Sequence, residues 1–157
     1  MSKPDGRMLA DSMAWTGKGL PLEINMQIFG NLTASQTDLG RWHVPDAYLQ
    51  NQYNQSVTIV AVDIHAFTKG VGGTGSDVFI LKKVDIAGNV LSTIGTITVP
   101  ANTKHFRADL RTPNFVGTSL GIGEGIRLDT GTIGAGYSTY PANITVAVHA
   151  EGFAVKG

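Results

Sequence analysis

Residues 56–67 read SVTIVAVDIHAF, the longest β-branched run in the chain. Branched side chains suit a pleated surface. The two-residue period of a strand predicts that Val60, Val62, Ile64 and Ala66 share one face while Asp63 and His65 point from the other. So apolar a run is expected at the centre of a sheet.

Working outward, the Gly-rich segment 69–76 (KGVGGTGS) predicts a flexible hairpin connection to DVFILKKVDI (77–86). A turn at AGN (87–89) then leads into VLSTIGTITV (90–99), which ends at Pro100. Upstream, DAYLQNQYNQ (46–55) reads as a polar loop. Residues 37–44 form a candidate strand with Leu39, Trp42 and Val44, closed by Pro45, which has no N–H for a ladder. Leu22, Ile24, Met26 and Ile28 alternate with Glu23, Asn25 and Gln27, the pattern of a strand with one buried face. Downstream, strands are expected at 104–110, 124–130 and 143–155, the last with Ile144, Val146, Val148 and Ala150 on a common face. About eight short strands separated by turn signals, with no amphipathic helical stretch, predict an all-β fold: a two-sheet antiparallel β-sandwich of jelly-roll type. Residues 1–20 show no sustained periodicity and read as an extended N-terminal arm, which leaves 21–157 as the sandwich domain.

The composition agrees. Of 157 residues, 42% are hydrophobic and 15% charged, below the roughly 25% charged of average soluble domains, and 20 glycines suit tight turns. Twelve basic and twelve acidic side chains cancel, so the basic footprint of a nucleic-acid binder is missing. With no cysteine there are no disulfides, thiolate metal sites or cysteine nucleophiles. No apolar stretch has signal-peptide or membrane-span length, so neither secretion nor a membrane partner is expected. The Asn-x-Ser/Thr matches at Asn31, Asn54 and Asn143 then read as chance.

Candidate chemistry is sparse. Gly70-Val71-Gly72-Gly73-Thr74-Gly75-Ser76 resembles a phosphate loop only in its glycines, because it lacks the lysine and the following helix. The glycines of 121–136 suit turns and bulges better than a dinucleotide fingerprint. His43, His65, His105 and His149 lie far apart with no ligand spacing, so four unrelated imidazoles are expected and no metal or cofactor. No serine stands in a nucleophile-elbow motif and glutamates are few, so an enzyme is not expected. Two binding surfaces are candidates. Met8, Leu9, Met13, Trp15 and Lys18 give the arm enough apolar and basic character to dock on another protein, ordering as it binds; a plain disordered tail is the competing reading. Tyr137 and Tyr140, in an expected loop, could present rings to a glycan or could cover strand ends.

The tandem GNVLSTIGTITVPANTK (88–104), the Gly-rich approach 121–136 and the terminal strand ANITVAVHAEG together resemble capsid decoration (cement) and head-fibre jelly-roll proteins of tailed bacteriophages. The resemblance covers roughly residues 22–153. Gly123-Glu124-Gly125 stands where such proteins commonly carry Gly-Asp. The resemblance implies a non-enzymatic protein made in the host cytoplasm and carried on the capsid exterior, where it binds the major capsid protein and stabilises the shell. It also implies a homo-oligomer, commonly a trimer, with the arm making the capsid contact. The alternative it implies is a receptor- or glycan-binding module of a head fibre or tail.

Overall fold

The computed structural model describes residues 20–44, 53–109, 118–121 and 123–156. The arm, with Met8, Leu9, Met13, Trp15 and Lys18, lies outside the described residues.

Nine strands follow in order: β1 (Leu20–Asn31), β2 (Gly40–His43), β3 (Tyr53–Thr68), β4 (Ser76–Val84), β5 (Val90–Pro100), β6 (His105–Asp109), β7 (Ser119–Leu120), β8 (Gly125–Thr130) and β9 (Ala142–Lys156). Their pairings are nested and all antiparallel: β4 with β5, β3 with β6, β2 with β8 and β1 with β9. This is a long hairpin folded at β4–β5 and rolled up, so that β9 also meets β3 and β8 also meets β4. Two sheets result, β1-β9-β3-β6 with β7 beside β3, and β2-β8-β4-β5. That arrangement is a jelly roll.

Alternation decides which side chains meet between the sheets. Ile24, Met26 and Ile28 of β1 join Val62 and Ile64 of β3 and Ile144, Val146 and Val148 of β9 on one inner face. Phe79, Leu81, Ile94, Ile97, Ile126 and Leu128 answer from the other sheet. Each large side chain so removed from water contributes about 1.5–3 kcal/mol relative to leaving it exposed. Leu39 and Trp42 pack against the rim of this core.

The register corrects the reading of 56–67 at one position. Ile59 lies opposite Ala150, whereas Ala61 lies opposite His149, so Val60 is an extra residue in a β-bulge. Before the bulge Val57 and Ile59 are the buried positions; after it they are Val62, Ile64 and Ala66. Val60 therefore leaves the core face on which strict alternation would put it. β3 already begins at Tyr53, within the expected loop 46–55.

The glycine segment after β3 is not a hairpin, because β3 and β4 belong to different sheets. It crosses one end of the sandwich and is tied down there. Val71 and Thr74 form bridges with Thr139 and Ala135 of the β8–β9 connection. Asn102, between β5 and β6, accepts from Gly73 N–H at 2.9 Å through Oδ1 and donates to Gly73 O at 2.7 Å through Nδ2. Leu32, after β1, donates its N–H to Pro141 O. Four connections thus gather at one end of the roll.

Candidate functional site

The outward face of the β1-β9-β3-β6 sheet carries three of the four histidines, His65, His105 and His149. Asp63 is the lone charge in the apolar run of β3. Past the bulge, alternation turns it outward with His65. Register then brings it partners from both neighbouring strands: Arg107 of β6 stands directly opposite, and His149 of β9 lies opposite Ala61, one step along the same face. Nε2 of His149 lies 2.7 Å from Asp63 Oδ2, Nε2 of His105 lies 3.1 Å from Oδ1, and Nη1 of Arg107 lies 2.6 Å from Oδ2. The ring of His65 is 6.2 Å from that of His105, centroid to centroid.

Burial alone would push the Asp63 carboxyl up. The hydrogen bond from His149, the charge of Arg107 and the hydrogen bond from His105 together outweigh it and hold the group below the usual carboxylate range. The four histidines are therefore not all unrelated, contrary to what their spacing predicts: His105 and His149 meet on one carboxylate, the His65 ring lies near that of His105, and His43 stands apart, its Nε2 2.9 Å from Asp85 O. Among the described residues no group of three or more His, Cys, Asp or Glu could hold a metal ion. The chemistry agrees, since a guanidinium on Oδ2 opposes a second cation and an ionised carboxylate requires N–H, not lone pairs, from both imidazoles.

A second polar knot lies outside the other sheet. Asp129, almost fully buried, accepts from Arg127 Nε at 3.0 Å, from Arg127 Nη2 at 2.9 Å and from the Asp38 N–H at 2.7 Å, with Lys82 Nζ 2.9 Å away. Desolvation would raise its carboxyl; these donors outweigh it and keep the group low. Among the described residues every buried side-chain nitrogen or oxygen has a partner.

Tyr137 and Tyr140 are both half-buried, with ring centroids 5.4 Å apart. The Tyr137 hydroxyl donates to Asp77 Oδ2 at 2.7 Å. A Cβ at Gly70 or Gly73 would run into the Tyr137 ring, which explains why glycine is needed there. Burial, the hydrogen bond to Asp77 and the charge of Asp77 push the phenol up to about 12. Tyr137 thus anchors the end where the four connections meet, the strand-end role that loop tyrosines often fill. Asn143, one of the three sequon matches, has a structural task too: its Oδ1 accepts from Gly30 N–H at 3.0 Å.

The outer face also carries groups that sequence reading did not single out. Phe29 and Phe67 are 82% and 75% exposed. They sit near the ends of β1 and β3, on either side of Asn143 of β9. Toward the other end of the same face is a shallow depression of about 390 Å³ lined by Leu22, Glu23, Val60, His149, Ala150 and Glu151. Its wall includes the bulge residue.

No protein-family model matches the chain. No curated protein matches it either. Among solved structures it is similar to a chain of turnip yellow mosaic virus at 10% identity and a TM-score of 0.39, covering 88% of this chain and 82% of that one. A chain of Desmodium yellow mottle tymovirus is 10% identical with a TM-score of 0.36, covering 100% and 94%. A chain of the full Israeli acute paralysis virus particle heated to 63 degrees is 14% identical with a TM-score of 0.41, covering 97% and 80%. Scores this low carry no functional inference, and the assignment of a jelly roll stands on the strand pairings.

Proposed function

We propose that the chain is a non-enzymatic structural protein of a virion, binding the outer surface of a phage capsid and stabilising the shell as a decoration or cement protein. The observation that carries this reading is the outward face of the β1-β9-β3-β6 sheet. It is broad, its cations and carboxylates are set against one another around Asp63, and its most exposed large side chains are Phe29 and Phe67. Such a face is suited to contact area and not to concentrating reactive groups in a cleft. The likeness of 88–104, 121–136 and the last strand to phage decoration proteins points the same way.

On this reading the arm, through Met8, Leu9, Met13, Trp15 and Lys18, contacts the major capsid protein, and the sandwich supplies the oligomer, a trimer on the family resemblance. A protein that bridges neighbouring capsid subunits adds buried area that opposes their separation. Quantitative mass spectrometry of purified particles tests it. A copy number comparable with that of the major capsid protein is expected; a handful of copies points instead to a fibre or tail module, and absence from particles overturns the virion reading. Deleting residues 1–20 is expected to abolish capsid binding while leaving the far-ultraviolet circular dichroism unchanged. Undiminished binding removes the arm from the account.

A further inference from the structure

The pairings allow the outward face of the β1-β9-β3-β6 sheet to be laid out row by row. One row holds Asn25, Ala147, Asp63 and Arg107, each beside its partner on the next strand. About four residues along the strands in one direction lie Phe29, Asn143 and Phe67. About four residues in the other lie Glu151 and the depression it shares with Glu23, Val60 and His149. The two ends differ in sign as well as shape. Exposed Lys69 follows β3 and exposed Lys104 precedes β6 at the phenylalanine end, whereas Glu23 and Glu151 line the depression.

A face with projecting rings and ammonium groups at one end and a carboxylate-lined depression at the other is complementary to itself turned end for end. We infer that a second copy of this chain packs on this face, sheet against sheet, about a two-fold axis that runs across the strands through the row of Asn25, Ala147 and Asp63. A rotation about that axis keeps β1 over β1 and β3 over β3 while exchanging the ends. It carries Phe29 and Phe67 of each copy onto the two sides of the other's depression, which spans β1, β9 and β3. The small Ala147 at the middle of the axis permits the approach of about 10 Å usual for stacked sheets. Because the interface is isologous, each favourable contact is made twice.

The available area is sufficient for a weak specific dimer. Four strands give a face about 19 Å across and its rows run about 30 Å, so two copies together bury on the order of 1,100 Å², near the lower limit for a specific interface. Hydrophobic knobs set in a polar surround are the usual source of affinity in an interface of that size. The inference uses no property of a virion; a two-fold dimer is a different assembly from the trimer that the family resemblance implies, so a trimer in solution overturns the inference while leaving the capsid role standing.

Sedimentation velocity on the full chain, from about 1 µM to about 1 mM, spans the range in which an interface of this size changes occupancy. A monomer–dimer equilibrium is expected. Phe67→Glu and Phe29→Glu should each weaken it at least about tenfold, since each removes a ring at two symmetric contacts. Ile86→Glu should leave it unchanged, because Ile86 is 76% exposed but lies on the β4–β5 turn of the other sheet. All three positions are exposed, so the variants should fold. The chain contains no cysteine, so Asn25→Cys places one thiol near the axis in each copy, and a short bismaleimide should link the pair. A monomer at every concentration overturns the inference. So does an oligomer insensitive to Phe29 and Phe67, or failure of Asn25→Cys to cross-link under conditions where the dimer is populated.

Discussion

His105 and His149 reach the two oxygens of one carboxylate from opposite sides: His105 Nε2 is 3.1 Å from Oδ1 of Asp63, and His149 Nε2 is 2.7 Å from Oδ2. They sit on β6 and β9, the two strands that flank β3, so this contact fastens three strands of the sheet across its outer surface.

Replacing Asp63 with alanine removes that fastening. His105 and Arg107 are each more than half exposed, so water can take over their donors, while His149 is 32% exposed and loses more. The expected cost is about 1–2 kcal/mol in urea unfolding at neutral pH. Its pH dependence follows from the lowered carboxyl. Asp63 contributes its full stability above the unfolded-state value of about 3.9 and loses it as pH falls through the folded value. The stability gap between the native chain and Asp63→Ala should therefore be present at about pH 5 and close below about pH 4; a gap that persists at pH 2 would count against the assignment.

Tyr137→Phe keeps the ring against the glycine backbone and deletes only the hydroxyl. Asp77 is buried and retains the Gly134 N–H, at 2.9 Å, as a donor. A loss of about 1–2 kcal/mol is expected in thermal unfolding. Since the phenol is pushed up to about 12, its contribution is complete below the ordinary tyrosine range and is lost as pH rises through about 12. A late phase of tyrosinate absorbance should disappear in Tyr137→Phe, and an unchanged titration would contradict the hydrogen bond.

Asp129→Ala should be more severe. It leaves Arg127 and Lys82, whose side chains are 16% and 24% exposed, beside a hole where their counter-charge stood. A cost of about 3–5 kcal/mol is expected in denaturant unfolding. Arg127→Met, which removes one of the cations and leaves Lys82 and the Asp38 N–H on the carboxylate, should cost less.

Deleting Val60 removes the bulge and tests the register directly. With Val60 removed, Ile59 and Ala61 become neighbours that already stand opposite Ala150 and His149, so strict alternation puts Val57, Ile59, Val62, Ile64 and Ala66 on one inner face. The deletion is therefore expected to stay folded with its pairings intact, and loss of the fold would argue against the bulge; Val60→Ala, which keeps the bulge, should change stability within about 1 kcal/mol.

Most strands were legible because their inner residues are apolar and their outer ones polar: Leu22 to Ile28, 77–86, 90–99 and 143–155 each carry that signal. The bulge left none, since Val60 is as apolar as the residues it displaces. The two-residue strand at Ser119 is too short to show a period. For the candidate site, the visible clues were Asp63 as a single charge in an apolar run and His105 alternating with Arg107. That both meet at one carboxylate depends on register between strands more than 40 positions apart, and no local pattern encodes it. Phe29 and Phe67 stood in plain view, but whether a phenylalanine at a strand end points in or out is decided by the partner strand.

The order of strands has a consequence for the time course of synthesis. β9 lies between β1 and β3, and β8 lies between β2 and β4. Neither sheet can close until its penultimate or final strand has been made, so β1 waits, unpaired on that side, while more than a hundred residues are added. Closure of so distant a pair is intrinsically slow, and the waiting edges can pair with other chains. Folding should therefore begin with the local β4–β5 hairpin and end with insertion of β9, after residue 156 has left the ribosome. The yield of folded protein is then set by how long the half-rolled chain stays clear of its neighbours.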